Sequence, residues 1–178
     1  NLVCTVFVAN ALLDAYEKTQ NTNCLTMAAS AAEYLLNELY WSEGDNAGFS
    51  YPLPSLRIQV HNANFLGAAL LCRVYKHTSE KKFLAPALKA TRHSALMQNE
   101  DGSWDYGEHE TQHWVDNFHT GYNLGALRTI SNILNTDEFK PNILRGFKFY
   151  QAHFFREDGA PKYFHNKTYP IDVHSVAQ

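Results

Sequence analysis

A pattern that returns about every 55 residues constrains this chain more than any other feature. The segments Gly48-Phe49-Ser50-Tyr51, Gly102-Ser103-Trp104-Asp105-Tyr106 and Gly159-Ala160-Pro161-Lys162-Tyr163 align with one another, and Asp101 and Asp158 precede the last two. The triplets Val60-His61-Asn62, Val115-Asp116-Asn117 and Ile171-Asp172-Val173 recur with the same period. Between the markers, apolar residues fall at helical spacing. Val3, Phe7, Ala11, Leu12 and Ala15 stripe a first helix, and Ala28, Ala31, Ala32, Leu35, Leu36 and Leu39 a second, across a turn at Gln20-Asn21-Thr22-Asn23. Phe65, Ala68, Ala69, Cys72 and Tyr75 pair likewise with Phe83, Ala87, Ala90, Ser94 and Met97. Tyr122, Leu124, Leu127, Ile130 and Leu134 pair with Ile143, Phe147, Tyr150 and Phe154. The spacing predicts helical hairpins over about 1–59, 60–114 and 115–170, with a fourth beginning at 171–178.

Such a unit cannot bury its apolar face alone and must stack on its neighbours. Return loops of about 15 to 20 residues are longer than packing requires and long enough to carry function. The expected fold is therefore all-α: an α/α toroid of helical hairpins, seen as an incomplete ring. An incomplete ring would expose apolar helix faces, so self-association is expected as well.

Composition narrows the partners. With 15 Lys+Arg against 18 Asp+Glu, the net charge of −3 argues against nucleic acid or an anionic membrane surface as partner. Asn10, Asp14, Asn64 and Arg73 interrupt the best apolar runs before they reach the roughly 18 residues of a membrane span. Cys4, Cys24 and Cys72 are odd in number and lack CxxC spacing, which supports neither a disulfide framework nor a zinc knuckle. Reduced core cysteines are expected. The opening Asn1-Leu2-Val3-Cys4 carries no targeting signal, and the last residues read as the first turns of a helix. A cytoplasmic fragment of a longer protein is the expectation.

Gln98-Asn99-Glu100-Asp101-Gly102-Ser103-Trp104, with Lys89 and Ala90 upstream, resembles the QW repeat of the squalene-cyclase and prenyltransferase superfamily. Arg145-Gly146, Phe149 and Asp158-Gly159 are a degenerate second copy. Trp114 through Asn123, together with Lys162 through Ser175, is similar to bacterial α/α-toroid proteins associated with surface-polysaccharide genes. The resemblance spans nearly the whole chain and implies a toroid fold. It also implies a carbohydrate-active role in bacterial polysaccharide metabolism. A terpene-cyclase-like or prenyltransferase-like activity stays as an alternative, although the chain shows neither an Asp-rich cyclase motif nor a prenyltransferase zinc set.

If the repeats surround one mouth, the helix starts bring His61, Asp116 and Asp172 to equivalent positions. Carboxylates there also satisfy free backbone N–H groups, so capping is the competing reading. Trp104, Tyr106 and Trp114 would stack on a sugar ring, with Asn117, Asn123, His61, His165, Lys167 and His174 serving its hydroxyls or carboxylate. Packing within the repeat is the alternative for Trp104 and Tyr106. Two mechanisms follow. Asp116 and Asp172 could be the carboxylate pair of a glycosidase. Alternatively, His119, Tyr122 and Tyr169 could move protons in a uronate lyase or epimerase, with Asn117 and Lys167 holding the substrate carboxylate. Phe118 separates Asn117 from His119, so the match to the Asn-His pair of toroid alginate lyases is loose. His109, Glu110 and His113 have zinc-like spacing but no third ligand, so no metal and no cofactor are predicted. The expected partner is an oligosaccharide or polysaccharide. A non-catalytic binding or interaction scaffold is the other class to which such repeats belong.

Overall fold

The computed structural model describes residues 1–177 and resolves the predicted hairpins as helix pairs. Helix α1 (Leu2–Thr19) folds back on α2 (Thr22–Tyr34), which ends in a π-helical turn over Leu35–Leu39. Helix α3 (His61–Thr78) pairs with α4 (Leu84–Leu96), and α5 (Asn117–Leu134) with α6 (Lys140–His153). Helix α7 (Val173–Ala177) follows the third return loop. Sheet structure is confined to the first return loop, where β1 (Tyr40–Glu43) and β2 (Asn46–Phe49) form an antiparallel ribbon.

The tight turns sit at the far end from the return loops and share one device. Gln20, Ser79 and Asn135 take left-handed backbone, at φ 58, 58 and 48, and donate their N–H groups to Tyr16, Tyr75 and Ser131. This is the C-terminal stop that usually calls for glycine, here built three times without it.

Helices α1, α3, α5 and α7 pack side by side as one layer, and each even-numbered helix backs its own partner. Helix α3 lies in the middle and is buried along nearly all its length, including Asn62, Asn64 and Cys72. Helices α1 and α5 meet across it, Phe7 standing edge-on to Tyr122 with ring centroids 5.6 Å apart, so the layer is curved. The charged residues of α1 and α3 pair along the same seam: Arg73 holds Asp14 at 2.7 Å, and Glu17 receives Lys76 and His77.

Several expected core residues take other positions. In α1 the buried face is Leu2, Val6, Ala9 and Leu13, one residue out of step with the predicted stripe, and Phe7 and Ala11 are exposed. The predicted stripe counted only hydrophobicity, whereas α1 must satisfy α2 on one side and turn Phe7 toward the concave wall. Met97 and Phe147 are likewise exposed, at the end of α4 and on α6. Of the three cysteines, only Cys72 lies in the core; Cys4 is exposed and Cys24 half-buried. Exposed apolar side chains gather on both flanks: Phe7, Val8 and Met27 on the first hairpin, Leu144 and Phe147 on the third. Among the described residues, no helix is long and apolar enough to cross a membrane.

The QW-like segment is a clamp between the second and third hairpins. Gln98 donates to the carbonyls of Gly102 and Asn142 at 2.9 and 3.0 Å, and its own oxygen accepts from Asn142 and Arg145. Trp104 donates to the Ser94 carbonyl at 2.9 Å and meets Phe65 edge-on. A Cβ on Gly146 would come within 2.8 Å of the Trp104 ring, so this position must be glycine for α6 to seat. Trp104, at 2% exposed, is thus a packing residue with no face open to a sugar.

Candidate functional site

The return loops and the starts of α3, α5 and α7 lie at one end of the curved layer, and the loops are stitched to the helices by a repeated backbone pattern. The N–H of His61 donates to the Tyr106 carbonyl at 3.1 Å, and that of Asn117 to the Tyr163 carbonyl at 2.8 Å. Val60 bridges Gly107 just as Asp116 bridges Phe164. These bonds make Val60, not His61, the counterpart of Asp116. The triplet alignment is one residue out because the stretch from the loop tyrosine to the next helix start is one residue longer after Tyr106 than after Tyr51. At α7, Asp172 again holds the capping position, accepting from the His174 N–H at 2.6 Å.

Asp116 is the hub. Its side chain caps α5, accepting from the His119 N–H at 2.9 Å, and also takes the Trp114 indole N–H at 3.1 Å and His119 Nδ1 at 2.7 Å. It is 3% exposed, so the carboxylate is enclosed and its acceptor capacity is used inside the protein. The capping reading of Asp116 therefore holds geometrically, with an additional partner in His119. In the neutral ring, a carboxylate on Nδ1 favours the proton there and leaves the lone pair on Nε2.

Aromatic rings surround His119. Tyr106 lies 4.7 Å away and stacks flat on Trp114, at 4.6 Å and 12°. Phe118 touches His119, Tyr122, Tyr163 and His174, at 4.1, 6.1, 5.8 and 5.5 Å between centroids. Asp172 holds His174 Nδ1 at 2.7 Å in a second, more exposed Asp–His pair. Burial raises the hydroxyl pKa of Tyr106, Tyr122 and Tyr163; Tyr51 and Asp116 add to this at Tyr106, Asp172 at Tyr122, and both aspartates at Tyr163. All three phenols stay protonated at neutral pH and can donate hydrogen bonds. The backbone N–H of His174, then its ring, holds the Asp172 carboxyl below the usual range.

The structure thus brings together Tyr106, Trp114, Asp116, His119, Tyr122, Asp172 and His174. It does not bring the other candidates to this surface. Asn117 is fully buried, donating to the carbonyls of Phe154 and Lys162 and accepting from the Tyr150 hydroxyl at 2.8 Å, so it anchors the third loop and cannot reach a substrate carboxylate. Asn123 is enclosed at 2% exposed. His165 packs against Phe149 and the Val115 carbonyl behind the cluster. Tyr169, 69% exposed, and Lys167 project from the outer loop.

His61 belongs to an interior network. Its Nδ1 meets Ser94 Oγ at 3.1 Å, and Asn64 donates to both Ser94 and Gln59. Burial pushes its pKa down to about 4, a little offset by Glu108, so the ring is neutral. Glu108 in turn binds His93 at 2.6 Å; burial raises its carboxyl, but the His93 bond and charge outweigh that and lower it. Sequence reasoning did not single out Phe118 and Tyr163 as site residues. Tyr163 carried a usable signal, since it repeats Tyr106, whereas the His93–Glu108 pair joins a helix to a loop and leaves no trace in spacing. The segment 109–113 is a single turn capped by His109, and among the described residues no group of three or more His, Cys, Asp or Glu is placed to hold a metal ion.

The fold is that of an α/α toroid, present here over part of the ring. The Lin0763 protein of Listeria innocua superimposes with a TM-score of 0.74 at 18% identity, over 85% of this chain and 45% of that one. A family 76 glycoside hydrolase (mannosidase) of Bacteroides thetaiotaomicron gives 0.70 at 16%, over 85% and 44%. A cellobiose 2-epimerase of Bacillus thermoamylovorans gives 0.73 at 10%, over 97% and 50%. The chain therefore spans about half the length of these structures. No family model and no curated protein matches the sequence.

Proposed function

We propose that the mouth is the site of a carbohydrate-active enzyme in which His119 transfers a proton to or from a sugar carbon. The observation that carries this is the Asp116–His119 pair, 2.7 Å apart, beside the stacked Tyr106–Trp114 platform. Asp116 acts as a positioning residue: it fixes the tautomer and orientation of His119, and Nε2 is the base. Tyr122 and Tyr163, kept protonated, donate to the oxygen on which charge develops. Glycosidase chemistry with Asp116 as one of two reacting carboxylates is less well supported, because that carboxylate is enclosed and already binds three donors. Solved structures of the same fold include a polysaccharide lyase, a cellobiose 2-epimerase and glycoside hydrolases, so the reading agrees with what this scaffold hosts elsewhere. Bacterial polysaccharide metabolism is the setting we infer.

The test is incubation with a glycan panel in D₂O. Transfer at carbon places deuterium on the sugar, elimination yields an unsaturated product, and hydrolysis adds the mass of water. Deuterium exchange or elimination that disappears in His119→Ala supports the proposal. Hydrolysis that survives His119→Ala overturns it.

A further inference from the structure

We infer that this mouth takes a neutral saccharide, laid by one ring face on Trp114, and rejects uronates. The inference rests on the proton-transfer reading of the same site and names its substrate class. Trp114 is held on three sides. Tyr106 covers one face at 4.6 Å, Asp116 takes the indole N–H at 3.1 Å, and the Tyr106 N–H donates to the Trp114 carbonyl at 2.9 Å. Trp114 is nevertheless 36% exposed, so part of this fixed indole stays open to a ligand. A flat, immobile indole face matches the C–H face of a pyranose and costs little entropy to use.

Charge decides between neutral and acidic sugars. The ionised groups that act on Tyr106, Tyr122 and Tyr163 are Asp116 and Asp172. Of the two carboxylate holders expected for a uronate, Asn117 is locked inside and Lys167 projects from the outer loop, while Lys162 is turned to the His165 carbonyl at 3.0 Å. A sugar carboxylate would meet two like charges near low-dielectric aromatic walls.

A neutral sugar offers an acidic C–H only beside a free carbonyl, which requires a reducing end. His119 Nε2 would take that proton, the C–H electron pair would pass to the carbonyl oxygen as an enediolate, and return of the proton to carbon would close the cycle. No redox partner is needed.

The experiment measures binding by calorimetry, and exchange in D₂O by NMR, on the full chain. The probes are cellobiose, mannobiose, their borohydride-reduced alditols, and digalacturonate. The expected result is binding of the neutral sugars, weakened about tenfold or more in Trp114→Ala and largely restored in Trp114→Tyr. Asp172→Asn should raise digalacturonate binding by a few-fold. Tighter binding of digalacturonate than of the neutral disaccharides, neutral binding indifferent to Trp114, or no saccharide binding at all overturns the inference. Trp114-dependent neutral binding without exchange leaves the substrate class standing and overturns proton transfer at His119.

Discussion

The starts of α3 and α5 share one backbone plan and carry opposite chemistry. In both, the first helical N–H donates to a tyrosine carbonyl of the next return loop, Tyr106 for α3 and Tyr163 for α5. At α3 the capping position is Val60, which supplies no side-chain bond, and His61 turns inward to Ser94 as a neutral core residue. At α5 the capping position is Asp116, and the helix places His119, 21% exposed at the side chain, among Tyr106, Phe118 and Tyr122. A repeat therefore conserves the main-chain bonds that close the layer and leaves the side chains at each junction free to diverge. The histidine at the α3 start is buried and neutral; the one in the first turn of α5 is oriented by a carboxylate and partly exposed.

The sharpest way to break this contrast is His119→Ala. It should lower turnover by about 10² to 10⁴-fold, the usual worth of a general acid or base, while thermal unfolding stays close to that of the parent. Equal loss in a His61 variant would end the distinction between the two junctions. His61 should instead appear in stability. Its pKa falls from 6.5 to about 4 on folding, so the unfolded chain binds more protons between those values. Stability contributed by the neutral ring is fully present above pH 6.5 and is lost as pH falls toward 4, by about 3 kcal/mol. Denaturant unfolding across that range should show a shallower acid slope in His61→Gln than in the parent.

Asn117→Ala tests the counterpart of His61 directly. It removes three hydrogen bonds, one buried and two partly buried, and leaves the Phe154 and Lys162 carbonyls short of a donor, so a loss of about 2 to 3 kcal/mol is expected. Because the residue anchors a loop and does not touch substrate, the pH profile of any turnover should keep its shape, which a kcat/KM titration would check. The smallest effect is assigned to the Asp172–His174 pair, whose imidazole is 63% exposed. His174→Ala should change neutral-sugar turnover by no more than a few-fold, measured beside His119→Ala; a loss as large as that of His119 would make the two pairs equivalent.

The hairpins were legible because helical spacing and a period of about 55 residues act together, and either signal alone would leave the turns ambiguous. The register of α1 was not legible, since a flanking helix contacts different neighbours on two faces and hydropathy does not rank them. Asp116 and His119 stood out as polar residues at a helix start among aromatics. That Asp116 serves His119 instead of a substrate depends on its burial. Trp104 and Trp114 look alike in the sequence, both aromatic and in the same loop. Gly146 and Phe65 close over the first, while the second stacks on Tyr106 and stays 36% exposed.

By itself, then, the sequence determined the repeat, the helix pairs, the end of the layer at which the polar loops gather, and the residue types available there. Those are local properties, written in periodicity, turns and composition. Tertiary structure alone decided which junction is sealed and which is open, because that depends on side chains about 30 to 50 residues apart in a repeat of this length. Ser94 and Glu108 close on the start of α3, and Tyr163 and Asp172 frame the start of α5, through contacts that no spacing within one repeat can express.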